Sequence, residues 1–255
     1  MGGNLQSALK FYYRAGRVLD RSGLEGAVEM FEQCLKISTS LGDDVSDYMR
    51  VTYGYHLARH VAEGGRNEEA IEHATAALQV LGEDPIASVS NLGFALASLL
   101  VRFNVCDSSG GSGDAAQLDQ QPEEELRMKL YMILAQGAAA RLKFRTTSYA
   151  AMRAVIVGAR IIVNDSTTAE TLEFMSSSYG AVAMVMLVAG FRSSAERAIA
   201  KSIDLAPPGS VSNAFRLFLF QSSELSRTMP LVRCSCVGSN SNSHSHCSHA
   251  TGKVA

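Results

Sequence analysis

The stretch LARHVAEGGRNEEAIEHATAALQVLGEDP, residues 57–85, decides the fold. Apolar or small groups recur three or four apart at Leu57, Ala58 and Val61, and again at Ala70, Ala74, Ala77 and Leu78. That is the period of two amphipathic helices, not the alternation of a strand. Gly64-Gly65 between them makes a tight turn, and Pro85 cannot continue a helix. The segment therefore reads as an antiparallel helical hairpin.

Upstream, Phe11, Ala15, Val18 and Leu19, then Ala27, Met30, Phe31, Cys34 and Leu35, repeat the pattern across a turn at Asp20 to Gly23. Two alanines twelve apart recur four times: Ala15 with Ala27, Ala58 with Ala70, Ala139 with Ala151, and Ala183 with Ala195. Each first alanine has a bulky residue three places on (Val18, Val61, Leu142, Met186), and each second one has a small residue seven places on (Cys34, Ala77, Gly158, Ser202). Small residues let neighbouring helices approach while bulky ones fill the space between them. Four stacked hairpins follow.

These positions resemble the tetratricopeptide repeat, whose pattern is aromatic-x2-Leu-small-x2-bulky, then Ala-x3-aromatic, then a small residue and Pro. Phe11, Ala15, Val18, Ala27, Phe31 and Cys34 follow it except at Arg14, where Leu is usual, and Tyr179, Val182, Ala183, Met186, Ala195, Ile199, Ser202 and Pro207 follow it closely. The second and third units depart from it: Gly54 stands where the first aromatic is usual, and the third unit lacks the aromatics. The second alanines lie 43, 81 and 44 residues apart, longer than the usual period. This spacing, with the loops Leu41-Gly42-Asp43-Asp44 and Leu81-Gly82-Glu83-Asp84, is similar to the lengthened repeats of kinesin light chains and LGN-type adaptors.

The resemblance implies an all-α fold, a right-handed superhelix (α-solenoid) of stacked antiparallel hairpins. The array is expected over 7–208 after a flexible 1–6, with hairpins near 7–38, 47–81, 87–104 (partial), 123–163 and 168–206. The Gly/Ser-rich and Gln-rich text at 107–122 reads as a flexible insertion, with a helix starting at Pro122. A capping helix is expected at 209–228 and a disordered tail at 229–255, rich in Ser, Asn, His and Cys.

Composition bounds the function. The 255 residues carry a formal net charge of −2 and 47% hydrophobic residues, so no general excess of Lys and Arg exists to hold phosphates or anionic lipid. Five cysteines in a chain of this size imply no disulfide scaffold and a reducing compartment, with a cytoplasmic or nuclear location expected. The apolar stretches 86–105 and 179–191 are too short or too interrupted to cross a bilayer and read as buried helices. No phosphate loop, nucleophile elbow or dinucleotide fingerprint is present, so neither catalysis nor a cofactor is expected.

Two clusters could bind metal. His56 and His60 lie four apart on a helix but lack the adjacent Glu of zinc proteases, and read as groove or surface histidines. In the tail, Cys234, Cys236, His244, His246, Cys247 and His249 are good ligand types at spacings too tight for a usual zinc site. Arg141, Lys143, Arg145, Arg153 and Arg160 form a basic cluster, and an RNA-binding helical repeat is the alternative function it suggests.

The resemblance places the partner groove on the first helix of each hairpin. Counting three before, one after and four after each first alanine selects a face whose groove residues are Tyr12, Leu19, Tyr55, Arg59, Gln136, Lys143 and Met184, alongside Gly16, Ala62, Ala140, Gly180 and Leu187. A groove with Tyr, Arg and Lys suits a peptide with apolar anchors and acidic groups. The expected protein is a non-catalytic adaptor for an unidentified protein or peptide partner, with no membrane or nucleic acid and an open oligomeric state.

Overall fold

A computed structural model describes residues 2–85, 93–94, 97–98, 115–161, 163 and 167–207. The partial hairpin expected at 87–104, the Gly/Ser stretch at 107–114, the capping helix and the Cys/His tail lie almost wholly outside them. The described residues form eight α-helices and no strand: α1 Gly2–Ser22, α2 Ala27–Leu41, α3 Asp47–Glu63, α4 Asn67–Val80, α5 Ala115–Ala140, α6 Phe144–Gly158, α7 Ala169–Val188 and α8 Arg192–Asp204. They pack in adjacent pairs, α1 with α2, α3 with α4, α5 with α6 and α7 with α8. Each pair joins the next through α2–α3, α4–α5 and α6–α7, and the first helices also touch along α3–α5 and α5–α7. One buried cluster runs through all four pairs, from Ala27 and Phe31 to Ala195 and Ile199. The core is shared along the row of hairpins.

Sequence explains where the helices begin. Ser46 and Thr168 stand just before α3 and α7, and their hydroxyls accept from the backbone N–H of Met49 and Thr171. These side chains satisfy amides that a helix start leaves without partners. The helix α1 begins at Gly2, so residues 2–6, expected to be flexible, are helical. Likewise α5 begins at Ala115, before the expected start at Pro122, and carries that proline inside. Proline there removes one backbone donor and its ring crowds the carbonyl four residues back, while the acidic turn Glu123 to Glu125 that follows is tied to cations on the same helix.

The turns of all four hairpins share one geometry: in the first, Gly23 has φ of 62° and donates to the Asp20 carbonyl, and Leu24 donates to that of Leu19. Gly65, Leu142 and Gly190 have φ of 75°, 56° and 84°. Each donates to the carbonyl three residues back (Ala62, Ala139, Leu187), and the next residue, Arg66, Lys143 or Phe191, donates five residues back (Val61, Ala138, Met186). Counting from these turns aligns Ala58 and Ala183 with Ala135, not with Ala139. Burial agrees: Ala58, Ala135 and Ala183 are buried, whereas Ala139 is exposed. The third copy of the alanine pattern is therefore one helical turn out of register, and Leu142 stands in the turn, 72% exposed, where a gap-filling residue was expected.

The first hairpin departs in another way. Gly16, not Ala15, sits at the close approach, where an added Cβ would lie 3.0 Å from the Phe31 ring. A slip of one residue turns a helix by about 100°. Phe11 and Val18, expected in the core, consequently face outward and are 65% and 62% exposed.

By length and composition α7 is apolar enough to cross a membrane. This differs from the expectation for 179–191, because the helix starts ten residues earlier, at Ala169. Its Met175, Ser176, Tyr179, Val182, Ala183 and Met186 are buried. Ser176 and Ser202 exchange hydroxyl-to-carbonyl hydrogen bonds between α7 and α8.

Candidate functional site

The first helices of the second, third and fourth hairpins meet at Glu170, in the first turn of α7. Its Oε1 accepts from the Tyr55 hydroxyl at 2.9 Å and from Arg59 Nη1 at 2.8 Å, both on α3. Its Oε2 accepts from Lys129 Nζ on α5 at 3.2 Å. Lys129 is only 5% exposed, an unusual place for an ammonium. It is accommodated by Glu125 Oε1 at 2.7 Å and by the faces of Tyr55 and Phe174, whose centroids lie 5.6 and 5.9 Å away. Thr171 donates to Glu125 and completes the set.

The electrostatics follow from this packing. Burial alone would raise the Glu170 carboxyl, but the Lys129 charge, the Tyr55 hydroxyl and the Arg59 guanidinium outweigh it and hold the group below its ordinary value. Burial, with the Glu170 charge, pushes the Tyr55 hydroxyl up. At neutral pH the cluster is a fixed carboxylate surrounded by donors.

Above it opens a cleft of about 300 Å³ lined by Arg59, Glu63, Gln136, Glu170, Glu173, Phe174 and Ser177. Arg59 does not offer a free cation, because Nε is 2.8 Å from Glu63 and Nη1 is 2.8 Å from Glu170. Three carboxylates and one guanidinium line the walls, so the cleft has negative character around one aromatic face. It suits a cationic or amide-bearing side chain, the reverse of the acidic ligand suggested by Arg59 and Lys143 in the sequence.

The expected groove residues separate. Tyr55, Arg59 and Gln136 come together around Glu170, Tyr55 beneath the cleft and the other two in its wall. Lys143 stands apart, exposed in the turn before α6. Met184 is exposed farther along α7. Tyr12 is half-buried against the Leu9, Cys34, Val45 and Tyr53 cluster, and Leu19 packs on the main core. The slip of one turn explains the third hairpin: moving four residues keeps Gln136 on the same helix face but carries the next position into the turn. Glu170, Glu173, Phe174, Ser177 and Lys129 were missed. Extending the stripe from Met184 back through Gly180, Ser177, Glu173 and Glu170, at alternating spacings of four and three, finds three of them.

His56 and His60 belong to the interface of the first two hairpins. Phe31 stacks on His56 at 4.9 Å and on His60 at 5.8 Å. Asp20 Oδ1 approaches His60 Nε2 at 3.1 Å, and Arg17 Nη1 lies 3.4 Å from His56 Nε2. Burial, then the nearby Arg17 charge, pushes the His56 imidazole down to about 4. Among the described residues no group of three or more His, Cys, Asp or Glu could hold a metal ion.

The basic cluster is largely neutralised. Arg153 pairs with Glu83 at 2.8 Å, Arg141 with Glu68 at 3.3 Å and Arg160 with Glu124 at 3.3 Å. Lys143 and Arg145 remain exposed. Three of the five cations thus pair with acidic groups on neighbouring helices or the loops between them.

No protein-family model, curated protein or solved structure matches the chain.

Proposed function

We propose that the chain is a non-catalytic scaffold whose four hairpins are tetratricopeptide-like repeats stacked as a right-handed superhelix, with a peptide partner held on the face made by the first helices. The shared turn geometry and the packing of α3, α5 and α7 side by side support this reading. One observation carries the binding site: side chains from three successive first helices converge on Glu170 beneath an open cleft. Converging helices with a fixed internal charge make a pre-organised wall, which lowers the ordering cost of binding. The ligand is a segment bearing Lys, Arg or Gln, its charge or amide against Glu63 and Glu173 and its methylenes on Phe174.

The variant Gln136→Arg/Glu173→Arg tests this, since both positions are exposed and carry no core packing. Affinity mass spectrometry should show partners retained by the wild-type chain and lost by the variant, with both chains giving the same thermal melt. An identical set of partners for both overturns the assignment.

A further inference from the structure

The outer side of α1 carries a second pattern that neither the core nor the cleft uses. Phe11, Ala15 and Val18 follow one another at spacings of four and three, a single stripe on the helix. Lys10, Arg14, Arg17 and Arg21 follow at four, three and four, a ridge alongside that stripe. Arg17 turns inward to Tyr13 and His56, but Lys10, Arg14 and Arg21 are exposed. Asp20 is the one acidic residue in α1, and it faces His60.

Two features of this arrangement oppose the stability of the hairpin. Like charges at helix spacings of three and four repel, and two large apolar side chains stand in water. A shallow groove of about 600 Å³, lined by Ser7, Lys10, Phe11, Arg14, Ala15, Val18 and Leu19, runs along them. Ala15 makes a low point between Phe11 and Val18, into which a knob from another helix fits.

We propose that this face of α1 docks an acidic amphipathic helix of a partner. The partner's apolar stripe lies along Phe11, Ala15 and Val18, and a row of Asp or Glu meets Lys10, Arg14 and Arg21. Charge complementarity selects the occupant: the ridge is cationic throughout, so a second copy of α1 is repelled. Two large apolar residues set in a groove fit the ridge of a helix better than the broad apolar face that a lipid surface needs.

The full chain, titrated with two labelled 18-residue synthetic helices, tests this by fluorescence anisotropy and amide chemical-shift mapping. The helices share a Leu stripe and differ only in a flanking row of Glu or of Lys. The Glu helix is expected to bind saturably, about tenfold or more tighter than its Lys twin, with shifts confined to residues 7–21. Phe11→Asp should weaken it about tenfold, and Lys10→Glu/Arg14→Glu should invert the preference between the twins. Because these side chains are exposed, the variants should melt with the wild type; should Phe11→Asp not fold, Phe11→Ala takes its place. Equal affinity for the twins, shifts elsewhere, a preference for phosphatidylserine vesicles, or dimerisation through α1 would each overturn the proposal. The cleft variant Gln136→Arg/Glu173→Arg should bind the Glu helix unchanged.

Discussion

The second and third hairpins share one turn and fill it differently. Gly65 and Leu142 both adopt positive φ, at 75° and 56°, with the same pattern of backbone donors, yet only the first is a glycine. The helices beneath also differ where a glycine of one faces the other. In the second, a Cβ added at Gly54 would lie 2.9 Å from the Ala77 Cβ; in the third, one added at Gly158 would meet the Met128 sulfur at 2.9 Å. One crossing is closed by a rigid methyl, the other by a flexible thioether. The pair teaches that turn geometry sets the hairpin, while spacing of small residues drifts against it.

The largest difference between the two is in acid. The second hairpin buries His56 among Tyr13, Phe31 and Tyr55, with an imidazole held at about 4 against an ordinary 6.5. Its folded value is depressed, so its stabilising contribution is full above 6.5 and is lost as pH falls toward 4, where the unfolded chain takes up the proton more readily. The loss reaches about 3 kcal/mol at pH 4. Denaturant melts from pH 7 to pH 4 should show His56→Gln losing less stability than the wild type over that window. Equal acid slopes would remove the contrast.

The third hairpin instead holds a half-buried ionic pair. Glu83, in the loop after α4, accepts from the Tyr131 hydroxyl at 3.0 Å and from Arg153 at 2.8 and 2.9 Å. Glu83→Ala leaves those donors without their partner and should cost about 2 kcal/mol in urea melts. A cost near zero would show that the loop does not bind the second hairpin to the third.

At the crossings, Gly54→Ala should lose about 1 to 2 kcal/mol, because the Ala77 methyl cannot move without its backbone. Gly158→Ala should change stability by less than about 0.5 kcal/mol, since Met128 can adjust and alanine favours the helix. Similar costs at both would mean that the crossings are equally rigid. At the turn, Leu142→Gly should stabilise by about 1 kcal/mol and Gly65→Leu should cost about as much. A thermal melt of each, read against the other, checks that the two turns are equivalent.

The helical pairs were legible because Ala58, Ala70, Ala183 and Ala195 mark close contacts at a period that only helices share. Ala139 misled because α5 is rich in alanine near its end: Ala135, Ala138, Ala139 and Ala140 offer several registers, and only the fold of the turn selects Ala135. Phe11 and Val18 misled because aromatic and bulky residues at helix spacing mark a contact without saying whether this chain makes it. Of the site, Tyr55, Arg59 and Gln136 could be found by helix face alone. Glu170 and Lys129 could not be paired in advance, since their meeting depends on how α7 and α5 lie along α3, a long-range result of packing. The reversal of charge has the same origin: Arg59 reads as a free cation until Glu63 and Glu170 are placed beside it.

Site-specific photo-cross-linking tests the central claim most directly, with a benzophenone amino acid placed at Gln136 in the cleft wall and, separately, at Glu72 on the exposed side of α4. A discrete cross-linked product from position 136 that disappears on adding Glu173→Arg, with none from position 72, is the predicted result. Cross-linking from position 72 alone, or a product at 136 indifferent to Glu173→Arg, would contradict it.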